Sequence, residues 1–395
     1  MTAPAARFDE LLTQAAAAGA VPGAAAAVLG PDGVAYQGVA GRVRIDQPDE
    51  VTPDTVFWLA SMTKALGAVA VLRLVERGQL DLDAEVASIV PEFGQLQVLE
   101  GFDGDEPRLR PPRGAATVRQ LLSHTSGAGY EFLVADIARW YEVAGVDGPL
   151  GCSRDFLRAP LVADPGTEWN YGTGLDWAGV ALEAVTGTTL ESYLVENVLA
   201  PLRMGETTFR LTDDQRARLM PIHHRTPDGG LAVDDELELP HDPALDCAGH
   251  GAYGTVGDYG RFLRMLLRGG ELDGHRILEE ETVELAISPQ LGAIELPKEM
   301  PSADHELCND VVALPFRQSF GLSFNLMLED IPGMRRAGTA SWSGLANCYY
   351  WIDRATGIAG LFMTSVLPFF DEQILLRLAQ LEMAAYAEAA QPAPA

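Results

Sequence analysis

Phe57-Trp-Leu-Ala-Ser61-Met-Thr-Lys64 leads directly into Ala65-Leu-Gly-Ala-Val-Ala-Val-Leu-Arg-Leu-Val75, a stretch apolar on nearly every side. The composition and the Gly78 stop predict a helix over Ser61 to Arg77. A helix without a polar face is a buried one. Ser61 and Lys64 lie three residues apart and therefore share a face of its first turn. The positive end of the helix dipole stabilises a seryl oxyanion there and disfavours an ammonium. The chain carries 28 Lys and Arg residues, of which only Lys64 and Lys298 are lysines. Arginine stays charged at any working pH, whereas a desolvated lysine amine can lose its proton and act as a base. Ser-x-x-Lys is too short a pattern to stand alone, so its weight rests on what accompanies it.

Upstream, residues 5 to 19 have helical spacing (Phe8, Leu11, Leu12, Ala15). Gly23 to Leu29 and Val34 to Val39 then read as two strands around Pro31-Asp-Gly33. Downstream, helical patterns near 117–123, 132–145, 173–186 and 189–199 are separated by Pro/Gly-rich loops, and others follow at Asp258 to Leu267 and Glu279 to Ile287. Strand-like alternation marks Gln318 to Leu328, Arg335 to Ser341, Asn347 to Ile352 and Ile358 to Thr364, before a final helix from Glu372 to Ala387. Strands at both ends with helices between them predict an α+β fold, a three-layer α/β/α arrangement. Its antiparallel sheet would be built from both termini and flanked by helices. Residues 1–80 and 251–395 would form the α/β domain and residues 81–250 an inserted, mainly helical domain, with the active site at their junction. Ala389 to Ala395 reads as an unstructured tail.

With 395 residues, 47% of them hydrophobic, the chain can bury a sizeable core. A net charge of −28 repels phosphate backbones and anionic lipid, which argues against a nucleic-acid partner. Cys152, Cys247, Cys308 and Cys348 are widely spaced, so spacing suggests neither a zinc site nor a disulfide framework. No metal and no cofactor are expected. Asp9 and Glu10 interrupt the position of a signal-peptide apolar run, and no uncharged stretch is long enough to span a bilayer, so a cytoplasmic location is expected.

A second signal is Pro165-Gly-Thr-Glu-Trp-Asn-Tyr171-Gly-Thr-Gly174, a tyrosine in a Pro/Gly-framed loop before an apolar helix. With Ser61-Met-Thr-Lys64 it resembles the serine β-lactamase and penicillin-binding protein superfamily, specifically the class C β-lactamase-like or family VIII carboxylesterases. The likeness extends through Leu121-Leu-Ser-His-Thr-Ser-Gly127, Pro201-Leu-Arg-Met-Gly205, Gly254-Thr-Val-Gly-Asp-Tyr259 and Ser341-Trp-Ser-Gly-Leu-Ala-Asn347. The resemblance implies Ser61 as acylated nucleophile and Lys64 as its base. Tyr171, as phenolate or hydrogen-bonded phenol, would complete the relay. It also implies the backbone amides of Ser61 and Leu345 as oxyanion hole, with Gly344 allowing the strand close approach.

Trp342-Ser-Gly344 stands where antibiotic-hydrolysing relatives carry Lys-Thr-Gly, and Thr173 where many carry Asn. An indole cannot offer a carboxylate the charge-assisted contact that a lysine gives. Both departures suit esters. Trp342, Gly344, Thr173 and His250, in the Gly-rich loop Asp246 to Gly254, are the candidate substrate-binding residues. His124 reads as a structural hydrogen-bond partner, and no Gly-x-Ser-x-Gly elbow exists in the chain. The leading expectation is a serine carboxylesterase that hydrolyses small to medium acyl esters, with weak β-lactamase side activity. Trp342 to Asn347 and Tyr349-Tyr-Trp-Ile-Asp353 are also similar to fungal acyltransferases that attach a statin side chain. Acyl transfer to an alcohol or amine is therefore the alternative. An amide hydrolase of DD-peptidase type and a non-catalytic scaffold are further options. The expected partner is a small-molecule ester.

Overall fold

The computed structural model describes residues 3–390, and the tail from Gln391 onward lies outside them. Its central sheet is antiparallel and draws on both ends of the chain. Strands β1 (Gly23–Leu29) and β2 (Val34–Gly41) form the N-terminal hairpin. Strands β3 (Gln318–Phe320), β4 (Asn325–Met327), β5 (Ala340–Gly344), β6 (Cys348–Asp353) and β7 (Ile358–Met363) follow nearly three hundred residues later. The order β3-β4-β5-β6-β7-β1-β2 puts β1 inside the sheet, paired with β7 from Ala25↔Met363 to Leu29↔Ala359.

All seven residues of β1 are buried, which a strand with two covered faces requires. Ala24, Ala26 and Val28 share a core with Phe8 and Leu12 of α1 (Ala3–Ala17) and with Ile374, Leu378 and Leu381 of the closing helix. Ala25, Ala27 and Leu29 face a second core, which holds α2 (Thr63–Glu76) and the helix Val256–Leu267. Successive side chains on a strand point to opposite faces, so this short alanine-rich strand serves both layers. The outcome is the expected α+β fold of mixed helices and antiparallel sheet.

Residues 81–250 add no strand to this sheet among the described residues. Their helices are Val118–Leu122, Ala135–Ala144, α3 (Gly174–Thr186), Leu190–Leu194 with a π-helical continuation to Leu199, and Asp213–Ala217. α3 packs directly against α2. The region also contains hairpins that the helical reading did not foresee. Val98–Asp103 pairs with Glu106–Arg110 through a turn with Gly104 at φ 57°, and His223–Arg225 pairs with Leu231–Val233. Two expected strands also change. Gln318 to Leu328 is broken by Ser323 at φ 81°, giving β3 and β4. β5 begins at Ala340 rather than Arg335, because Asp353 and Asp330 capture the amides of Arg336 and Ala337 in a turn.

Candidate active site

Ser61 occupies the tight turn Ala60–Met62 that feeds α2, just ahead of the helix proper. Ala60 sits at φ 44°, a left-handed conformation that costs a residue with a side chain about 1–3 kcal/mol. The surroundings hold it there. Phe57–Trp58 pairs with Tyr253–Gly254, Leu59 N–H donates to Ala252 O, and Trp58 Nε1 donates to His250 O at 2.7 Å. Tyr259 OH donates to Met62 O at 3.0 Å from the other side. On the strand opposite, a Cβ at Gly344 would lie 2.4 Å from Leu59 O, so only glycine lets β5 come this close.

Lys64 is fully buried, with Nζ 3.0 Å from Ser61 Oγ, 3.0 Å from Tyr130 OH and 2.7 Å from Gly249 O. Loss of hydration pulls the amine down to about 7, partly opposed by Asp176 and Cys247. A neutral amine has two N–H donors and one lone pair. Gly249 O can only accept, so the lone pair must take its hydrogen bond from one of the two hydroxyls. With Ser61 as that donor, the pair is arranged as a base and its nucleophile.

Tyr171 OH accepts from Trp342 Nε1 at 3.3 Å. The rings of Tyr171 and Tyr130 flank Lys64 Nζ, at 4.7 and 4.9 Å to their centroids. Burial raises the Tyr171 phenol above its ordinary range, against hydrogen bonds with Ser61 and Trp342, and burial also raises Tyr130. Both shifts favour the phenol form of these side chains. His124 stacks edge-on against Tyr171 at 4.8 Å, and its Nδ1 lies 3.5 Å from Gly172 N–H. Burial drops its pKa far down, so it stays neutral.

Ser61, Tyr171, Trp342, Gly344 and Leu345 all border one cavity of about 490 Å³ whose walls are mostly apolar, including Trp169, Leu296 and Met300. Among the described residues that line it, the only cation is Arg335, which Glu382 engages at 2.6 and 3.1 Å. Ser61 and Leu345 also border a smaller cavity walled by Glu131, Pro149 and His250. Thr173 departs from expectation. It is buried outside both cavities, and its carbonyl accepts the amides of Asp176 and Trp177 at the start of α3. Its place in the chain matched a binding motif, but the onset of the helix turns the residue inward.

Three neighbours of Lys64 were not singled out from sequence: Tyr130, Asp176 and Gly249. Asp176 is buried and accepts from Gly249 N–H at 2.8 Å, and that bond aims the Gly249 carbonyl loop at Lys64. The Gly127-Ala-Gly-Tyr130 run, a second glycine-framed tyrosine, was the available signal for Tyr130. A Cβ at Gly249 would fall 2.4 Å from Asp176 Oδ2 and 2.7 Å from Tyr130 OH. Gly249→Ala is therefore expected to cost about 1–3 kcal/mol by overpacking and about 10²-fold in turnover by displacing the lysine's partner. Urea melts and ester kinetics would check both, and a variant with wild-type values in each would refute the close fit.

An α+β fold with a serine, a buried lysine amine and a tyrosine clustered beside β5 defines a serine hydrolase or acyltransferase of the β-lactamase and penicillin-binding protein type. The chain belongs to the beta-lactamase family, whose model matches residues 8–384. It is 36% identical to monacolin J acid methylbutanoyltransferase of Aspergillus terreus over 349 residues, 84% of this chain and 83% of that protein. It is 34% identical to lovastatin esterase of Penicillium rubens over 342 residues, 82% of each. A mutant of simvastatin synthase (LovD) from Aspergillus terreus superposes with a TM-score of 0.86 at 31% identity, covering 99% of this chain and 96% of that one. Among the described residues, no helix is long and apolar enough to cross a membrane.

Proposed function

We propose that the protein is a serine acyltransferase that moves a small to medium acyl group, through a seryl acyl-enzyme, to an alcohol with a large apolar body. Hydrolysis is the competing outcome when water replaces the acceptor. The observation that carries this reading is a buried, deprotonatable amine 3.0 Å from a serine that opens on an apolar cavity of about 490 Å³. Relatives named as a methylbutanoyltransferase and as an esterase support the same chemistry with two different acceptors. Transfer therefore stands ahead of the carboxylesterase expected from sequence.

In this mechanism Lys64 takes the Ser61 proton while Oγ attacks the acyl carbonyl. The amides of Ser61 and Leu345 hold the developing oxyanion. The proton passes to the leaving oxygen by way of the Tyr171 phenol, and the alcohol departs. The acceptor hydroxyl then gives its proton to Lys64 and attacks the acyl carbon; collapse of the adduct breaks the bond to Ser61 Oγ, which takes that proton back from Lys64. Trp342 in place of a cation leaves the cavity suited to neutral esters.

Incubation with p-nitrophenyl butyrate and a set of apolar alcohols, with butyrate and butyryl ester both quantified by mass spectrometry, tests the assignment. Butyryl ester is expected to exceed free butyrate for at least one alcohol. Butyrate alone across the whole set would make the protein a hydrolase. A chromogenic cephalosporin in parallel measures any β-lactam opening.

A further inference from the structure

The acyl-transfer chemistry leaves a buried group of donors unused. Cys152 and Cys247 lie far apart in sequence, yet Leu245 N–H donates to Cys152 O at 2.9 Å and ties their segments together. Cys152 Sγ is 3.7 Å from His250 Nε2, and one donor atom from each of Cys152, Cys247 and His250 lies within 4.8 Å of the others. All three side chains are buried. Spacing rules for metal sites search along the chain, so the sequence expectation of no metal could not register a cluster assembled by the fold.

A second observation points to a ligand. His250 Nδ1 is buried with no hydrogen-bond partner and lies 4.0 Å from Asp176 Oδ1, and Asp176 Oδ2 is likewise buried without a partner. Metal-bound imidazoles commonly turn their other nitrogen toward a carboxylate. Here the carboxylate stands on the Nδ1 side and the sulfur of Cys152 on the Nε2 side. Two thiols and an imidazole form a donor set that favours a borderline-soft cation over magnesium or calcium.

We propose that Cys152, Cys247 and His250 form a binding site for Zn²⁺. Zn–S and Zn–N bonds of about 2.3 and 2.0 Å in a tetrahedron set donor separations of about 3.5–3.8 Å, so the cluster closes with small side-chain shifts. Two thiol protons leave to solvent on binding. His250 Nε2 gives up its contact with Pro149 O at 2.9 Å and becomes a ligand, while the ring proton sits on Nδ1 facing Asp176. The Pro149 carbonyl or a water completes the coordination, and the smaller cavity beside Ser61, which His250 borders, offers a way in. Gly249 lies between two of the ligands, so the ion would clamp the loop whose carbonyl accepts from Lys64.

The test uses the full-length reduced protein, loaded with Zn²⁺ or Co²⁺ and freed of excess metal by gel filtration. About one ion per chain is expected, with a thiolate-to-cobalt charge-transfer band that Cys152→Ser and Cys247→Ser each abolish and Cys308→Ser keeps. Asp176→Asn should weaken binding about 10- to 100-fold. Because a buried cysteine variant can fail to fold, the wild type is also alkylated with and without Zn²⁺. The ion should slow labelling of Cys152 and Cys247 relative to Cys308 and Cys348. Absence of retained metal, a band that survives in both cysteine variants, or equal labelling of all four thiols would overturn the site. So would a Cys152–Cys247 disulfide that, once reduced, takes up no metal.

Discussion

Ser61→Ala is expected to lower kcat for p-nitrophenyl butyrate by about 10⁴-fold or more, the scale seen when a nucleophile acting as part of a unit is removed. The side chain is small and is one of many residues lining the cavity, so its removal leaves the apolar walls untouched. Product affinity and melting temperature should stay near wild type while turnover collapses. That separation matters, because a defect in folding would lower all three together. A phosphonate probe adds an independent reading: it should label Ser61 in the folded protein and nothing in the variant. Near-wild-type turnover by Ser61→Ala, or a phosphonate adduct on another residue, would end the seryl acyl-enzyme assignment.

Lys64→Arg should be nearly as damaging, with a loss of about 10²–10⁴-fold from removal of a general base. This variant carries a permanent positive charge, because a guanidinium cannot give up its proton. The wild-type pH profile carries the same argument. The reactive form is the free amine, and burial holds that amine at about 7. A group that must be deprotonated gives a rate that rises with pH through its pKa, so kcat/KM should climb through about pH 7 and level off above it. Lys64→Arg should remove that limb and leave a low, flat profile. A wild-type limb near pH 4–5 would instead point to a carboxylate base and remove Lys64 from its role.

Two kinds of signal made parts of this site visible in the sequence: local spacing for Ser61 and Lys64, and the family resemblance for Tyr171, Trp342 and Leu345, whose partners lie far along the chain. Ser61 and Lys64 were legible because an apolar run fixed a buried helix and a three-residue spacing fixed the face. The sheet was legible from short apolar runs at the two ends of the chain, which need covering on both faces. Tyr130, Asp176 and Gly249 were not, because each acts through neighbours 66 to 185 residues away, and nothing local distinguishes a buried aspartate in a helix's first turn from a helix-start acid. Thr173 failed in the opposite direction. Its local pattern was right, but the helix beginning at Gly174 carried it away from the cavity. The hairpin from Val98 to Arg110 escaped because a single glycine turn set its geometry.

The position of β1 has a consequence for how the molecule is made. Its partner β7 ends at Met363, so during translation Ala25 leaves the ribosome some 338 residues before Met363 can pair with it. At about 5–20 residues per second, the N-terminal hairpin spends roughly 20–70 s with one edge of an alanine-rich strand unpaired. The stretch that carries Ser61 and Lys64 emerges in that interval, and its buried helix has no finished sheet to pack against. Synthesis must be nearly complete before the turn that carries Ser61 can acquire its final shape. Ser61 and Lys64 are thus among the first residues of the site to be synthesised and among the last to be set in place.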